Sequence, residues 1–211
     1  MMSVSDITIA MMSVTVNTNY DEVMTRWQPD SQGRLEVAAL ALFGERGFDD
    51  TTVAEIAERA GLTERTFFRH FSDKRDVLFS GASVLQELFV DVVRSAPAST
   101  SPLHAAISAL DVAGDLLQER RDFARQRHTI ISSSAELRER ELIKLASLSA
   151  AVASALRDRG VAEPTASLTG EVAITVFKVG FERWVTPNET RTLTELMHNS
   201  FDDLKTVTSA G

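Results

Sequence analysis

Between Arg34 and Phe71 the chain carries three apolar stripes of helical period, separated by glycine or short polar turns. Leu35, Ala38, Ala39, Leu42 and Phe43 recur at the spacing that lines one face of a helix. Gly47 follows where a C-terminal cap belongs. Thr52-Val-Ala-Glu55 is a capping-box pattern, in which Thr and Glu satisfy each other's backbone donors, and Val53, Ile56, Ala57 and Ala60 supply the next apolar face. Gly61 closes that helix, and Thr63 can cap a third over 64–71. Two short helices joined by a tight glycine turn behind a longer one have helix-turn-helix spacing.

The rest of the chain reads as helical too. Ser72 can cap a fourth helix over about 73–93, with Asp73 beside the positive end of its dipole. The small, polar, proline-bearing stretch SAPASTSP (95–102) marks a loop or boundary. Helices are expected near 103–119, 121–133, 136–159, 164–186 and 189–207, with breaks at Arg120-Arg121, Ser132-Ser133-Ser134, Gly160, Pro164 and Pro187. No β-type alternation persists after residue 30, so the fold class is all-α. Residues 1–30 lack helical period and read as a disordered arm. The expected domains are 31–79, ending where the fourth helix leads on, and a larger bundle over 80–211.

Composition narrows the setting. The 211 residues include no cysteine, which excludes disulfides, thiolate metal sites and a cysteine nucleophile and suits a reducing cytoplasm. No apolar run approaches the roughly 20 residues that span a bilayer, and the N-terminus lacks the basic region of a signal peptide. The net charge of −8 argues against indiscriminate binding to polyanions, so any nucleic-acid site must be a local patch.

TFFRHF, residues 66–71, holds that patch. On a helix Phe67 and Phe71 share a face, while Arg65 and Arg69 share another and Phe68 projects toward it. Two rings are therefore core and one is displayed between guanidinium groups. Arginine can donate two bonds to the major-groove edge of guanine, and a ring can pack on a thymine methyl or press on the backbone. Lys74 can reach a phosphate, and Arg34 and Thr52, at helix starts, are further phosphate candidates. A solvated Arg-Phe-Arg face is the competing interpretation.

The segment RLEVAALALFGERGFDDTTVAEIAERAGLTERTFFRHFSDKRDVLF resembles the DNA-binding domain of tetracycline-repressor (TetR) family transcriptional regulators. The resemblance is close over 34–79 and weaker but continuous beyond. It implies that Thr52 and residues 63–70 (Thr63, Glu64, Arg65, Thr66, Phe68, Arg69 and His70 among them) approach DNA, with Lys74 anchoring phosphate. Phe68 stands where the family more often has tyrosine. The missing hydroxyl leaves more of the anchoring to Arg69 and His70.

In the family the larger domain dimerises and often holds a small effector. Residues 164–186 are apolar nearly all round, which requires burial on several sides. Ala166, Ala173 and Gly180 recur every seven residues as a seam for close helix approach, and Leu193, Met197, Phe201 and Leu204 line one face of the last helix. These residues, with Arg183, make either a four-helix homodimer interface or a hairpin buried within one chain; the resemblance favours the dimer. Two copies would read a pseudo-palindromic operator in double-stranded DNA, with recognition helices roughly 34 Å apart. His104, Phe123, Arg127, His128, Ile131, Phe177 and Trp184 are the candidate lining of a small-molecule pocket, against plain core as the competing reading.

Other classes fit less well. Glu195-Leu-Met-His198 is a metal-like fragment, but helical di-iron sites need a second one and further carboxylates. No Gly-rich phosphate loop, G-x-S-x-G or H-E-x-x-H motif occurs. No enzymatic activity, metal or cofactor is expected. A helical adaptor without DNA binding is the alternative to a DNA-binding regulator, which is read as a repressor released from its operator by a small-molecule effector.

Overall fold

The computed structural model describes residues 31–209. The reading of 1–30 as a disordered arm falls outside them. Every regular element among the described residues is helical, and the chain divides into two compact units between Val77 and Leu78.

The first unit holds α1 (Ser31–Arg46), α2 (Val53–Arg59) and α3 (Glu64–His70). Leu35, Leu42, Phe43, Ile56, Phe67 and Phe71 are buried together as its core. Gly47 and Gly61 close α1 and α2 at φ +91° and +65°, a left-handed conformation in which a Cβ would be strained. After Gly61 the chain turns tightly, with Leu62 N–H donating to Ala57 O at 2.8 Å. A two-pronged Arg59–Glu45 pair at 3.0 and 2.9 Å ties α2 back to α1 on the surface.

The short α4 (Asp76–Phe79) and then α5 (Ala82–Ser95) replace the single helix expected over 73–93. The break falls at Ser80–Gly81, where glycine has the weakest helix propensity short of proline. The cap also differs from expectation. Asp73 Oδ1, not the Ser72 hydroxyl, accepts from Arg75 N and Asp76 N at 2.8 and 3.0 Å. Partial burial pushes the Asp73 carboxyl up, but the hydrogen bond from the Arg75 guanidinium, with the Asp76 and Arg75 backbone donors, holds it below the usual carboxylate range.

The second unit continues through α6 (Pro102–Gln118), α7 (Arg121–Ser133), α8 (Ala135–Asp158), α9 (Thr165–Trp184) and α10 (Leu193–Ser209). Phe89, Leu110, Val152, Leu156, Trp184 and Leu196 are among its buried apolar side chains. Helix α9 packs against α8, α10 and α6, which accounts for its nearly all-round apolar sequence. The small-residue seam works inside the chain. A Cβ at Gly180 would lie 2.8 Å from Met197 Cγ on α10, and one at Gly170 would lie 2.6 Å from the Ser149 carbonyl oxygen on α8. Ala166, Ala173, Gly180, Leu193, Met197 and Phe201 are thus buried in the chain's own core. Of the two readings, a homodimer interface or a hairpin buried within one chain, the packing is within the chain, where the seam lets α9 approach its own neighbours.

Candidate nucleic-acid interface

Helix α3 divides its rings as the four-residue spacing requires. Phe67 is 0% exposed and Phe71 5%, while Phe68 is 55% exposed. Phe68 still leans edge-on against Phe67, centroids 5.5 Å apart, so the displayed ring is braced from below. Arg65 is exposed beside it and has no hydrogen-bond or ion-pair partner among the described residues. A free guanidinium next to a half-exposed ring is suited to a groove edge, since the guanidinium can take a partner without breaking a contact of the fold and the braced ring keeps an open face.

The threonines at the helix starts are first of all caps. Thr52 and Glu55 form the full capping box of α2, with Thr52 N donating to Glu55 Oε2 at 2.8 Å and Glu55 N to Thr52 Oγ1 at 3.3 Å. The hydrogen bond from the Thr52 backbone holds the Glu55 carboxyl below its usual range. Thr63 caps α3 by accepting from Thr66 N at 3.2 Å, and its hydroxyl meets that of Thr66 at 3.0 Å. Glu64 lies exposed in the first turn of α3, where its charge complements the helix dipole.

The basic residues outside α3 have other work. Lys74 donates to Phe48 O, Asp49 O and Thr51 O at 2.7, 3.0 and 2.9 Å, which engages all three of its N–H groups, and sits 4.5 Å over the Phe48 ring. The expected phosphate anchor is here a clamp on the turn that delivers Thr52 to α2. Arg34 Nη2 donates to the Ala60 carbonyl and, at 3.4 Å, to Gly61 O, so it caps the end of α2 rather than standing free. In the last turn of α3, His70 and Arg69 both meet Ser31 of α1, His70 Nε2 at 2.7 Å and Arg69 Nη2 at 3.3 Å. Ser31 went unnoticed in the sequence because its partners lie 38 and 39 positions away.

A model of the bacterial tetR family of regulatory proteins matches residues 37–80, and a model described as the MftR C-terminal domain matches residues 100–209, more than half of the chain. The chain belongs to the TetR family. Residues 37–80 are its match to the family's regulatory-protein model, and relatives that it matches are named as HTH-type transcriptional regulators. TcmR, an HTH-type transcriptional regulator of Streptomyces glaucescens, is 41% identical over 71 residues, covering 34% of this chain and 31% of TcmR. The chain thus spans about a third of that relative. MftR of Mycobacterium tuberculosis, a transcriptional regulator assigned to mycofactocin biosynthesis, is 28% identical over 171 residues, 78% of this chain and 84% of that protein. Among solved structures, the TetR-family repressor FadR of Thermus thermophilus in complex with lauroyl-CoA aligns at a TM-score of 0.53 and 25% identity, covering 82% of this chain and 92% of FadR.

Within this TetR-family chain the candidate effector residues do not line one space. His104 is exposed at the start of α6, its Nδ1 2.7 Å from the capping hydroxyl of Ser101. Phe123 lies under the Arg120 guanidinium, 4.4 Å from the ring centroid. Arg127 donates to Leu78 O at 2.5 Å and pairs with Glu141 at 2.8 Å. His128 meets Phe181 edge-on at 5.9 Å, and Phe181 stacks on Phe177 at 5.8 Å and tilts against Trp184 at 5.7 Å. These last four form one aromatic cluster. Ile131 and Trp184 are core, with Trp184 Nε1 satisfied by Gln118 Oε1 at 3.1 Å. The arginine-rich face of α7 caps α9: Arg121 Nη2 donates to Trp184 O at 2.7 Å and Arg125 Nε to Val185 O at 3.0 Å. An apolar crevice, without room for a water, lies instead between α6, α9 and α10, lined by Ile107, Leu110, Asp111, Val176, Met197, His198 and Phe201. None of the seven candidate lining residues borders it. Glu195 and His198 also part company. Glu195 caps Thr192 N at 2.7 Å, and His198 Nε2 lies 2.7 Å from Asp111 Oδ1.

Of the candidate interface residues not buried in the core, Arg183 lies 3.9 Å from Asp203 and Leu204 is half-buried. The apolar side chains that α9 turns outward are others. Leu168 is 61% and Val179 41% exposed, with half-buried Val172 and exposed Thr175 completing the stripe.

Proposed function

We propose that the protein is a homodimeric repressor that binds a pseudo-palindromic operator in the cytoplasm and is released by a small-molecule effector. One observation carries the reading: α3 keeps Phe67 and Phe71 in the core while presenting Phe68 beside an unengaged Arg65. Residues 31–79 form the reading head, with Thr52 and residues 63–70 facing the duplex. Residues 80–211 hold the partner and the effector. Arg65 reads a base edge, Phe68 packs on a thymine methyl or the sugar-phosphate backbone, and Arg69 and His70 contact phosphate.

The homodimer uses the outward stripe of α9. Its residues Leu168, Val172, Thr175 and Val179 follow four- and three-residue steps on one exposed face. Two α9 helices crossing antiparallel near Thr175 set Glu171 opposite the partner's Lys178, and Lys178 opposite the partner's Glu171. That self-complementary charge pattern suits a two-fold axis.

The effector acts only through its differential affinity for two conformers, one matching the operator's spacing of roughly 34 Å and one not. Acyl-CoA thioesters open the list to screen, because FadR was solved with lauroyl-CoA. The reading is tested by presenting the protein with duplexes from upstream of its own gene. Retention of one fragment, with steep loss of affinity as salt rises, is expected. Equal, weak binding of every fragment at low salt contradicts it and favours a helical adaptor.

A further inference from the structure

We infer that Ser31 is a positioning residue for DNA binding, setting the rotamers of Arg69 and His70 at the end of the recognition helix. The inference rests on the DNA-binding reading of α3. Ser31 opens α1, yet its hydroxyl reaches both basic side chains of the last turn of α3. The hydrogen-bond directions are determined by donor chemistry. Arginine can only donate, so the 3.3 Å contact runs from Arg69 Nη2 to Ser31 Oγ. The serine proton is then free to donate to His70 Nε2 at 2.7 Å. The third side of the triangle, Arg69 Nη2 to His70 Nε2 at 3.3 Å, also requires that nitrogen to accept. All three contacts agree on one tautomer, with the proton on Nδ1.

One hydroxyl acting as donor and acceptor at once therefore holds a guanidinium and an imidazole side by side. Arg69 is exposed, and an exposed arginine otherwise loses several rotatable bonds' worth of freedom when it meets a phosphate. Pre-ordering by Ser31 reduces that loss. The hydroxyl, and not the helix start as such, is the operative group. Threonine keeps it and alanine does not.

The test is a set of duplex-binding curves on the retained upstream fragment for wild type, Ser31→Ala, Ser31→Thr, Arg69→Ala and the Ser31→Ala/Arg69→Ala double variant, with thermal unfolding of each. Ser31→Ala is expected to weaken binding about 2- to 10-fold, the size of one net hydrogen bond. Ser31→Thr should restore most of that loss. In the Arg69→Ala background Ser31→Ala should cost little more, because the group it positions is gone. Unchanged affinity in Ser31→Ala overturns the inference, as does an equal loss with and without Arg69, or a loss that tracks a drop in melting temperature. In each of those cases the wild type still binds DNA, so the reading of α3 survives. Failure of the wild type to bind any fragment specifically defeats that reading and the inference with it.

Discussion

Helices α3 and α9 each carry more apolar surface than one buried face needs, and they dispose of it in opposite ways. In α3 the excess is a single ring, Phe68, left outside beside Arg65. In α9 most of it is taken up by close approach of neighbouring helices, Gly170 against Ser149 and Gly180 against Met197, and only the stripe of Leu168 and Val179 is left outward. An apolar surplus marks a site only when geometry leaves it uncovered. Seven residues of α3 cannot surround themselves, whereas a central helix of 20 can.

The sharpest way to break this comparison is to exchange core ring for displayed ring. Phe67→Ala should destabilise the reading head by about 3–5 kcal/mol, measured by chemical denaturation. Phe68→Ala, three-dimensionally its neighbour, should cost no more than about 1 kcal/mol while weakening operator binding. Equal losses of stability would erase the distinction between the two rings.

On the other helix, Gly180→Leu should destabilise the larger unit by about 1–3 kcal/mol or more, because the new side chain meets the Met197 backbone as well as its side chain. Val179→Asp, one position on the outward face, should leave the melting temperature of the chain nearly unchanged at low concentration and shift sedimentation from dimer toward monomer. If Gly180→Leu dissociated a dimer without unfolding anything, the seam would be an interface after all.

Lys74→Ala should lower the stability of the reading head by about 1–3 kcal/mol, since three backbone carbonyls lose a charged donor. A pure phosphate clamp would instead leave stability alone and flatten the salt dependence of binding by about one unit. Denaturation and salt titration of one variant separate the two roles.

Thr52→Ala should remove the hydroxyl half of the α2 capping box at about 1 kcal/mol. The box also has a pH signature. Glu55 is held below its usual range in the folded chain by the Thr52 backbone donor. Its contribution is therefore present above the ordinary glutamate pKa and fades as pH falls through the lowered folded value. The stability difference between wild type and Glu55→Ala, which removes the carboxylate itself, should shrink on acidification in that window.

Much of this was legible in the sequence because it is local. The caps at Thr52 and Thr63, the glycine stops and the division of Phe67, Phe68 and Phe71 depend on spacings of three or four residues. What stayed hidden depends on partners far along the chain. Periodicity showed that Ala173 and Gly180 are buried, but not whether a second chain or α10 covers them. Nothing near Lys74 announced carbonyls 23 to 26 positions away, and nothing near Ser31 announced Arg69. Nothing near Arg121 and Arg125 announced the C-terminal carbonyls of α9, 63 and 60 positions away, that they cap.

The most direct test of the outward face of α3 is competition between the retained upstream duplex and a scrambled duplex for wild type and Arg65→Ala, across a salt series. The prediction is that wild type discriminates strongly, and that Arg65→Ala loses about 1–3 kcal/mol of discrimination with its melting temperature intact. Full discrimination by Arg65→Ala, or a loss equal on both duplexes, would contradict a base-reading role for this face.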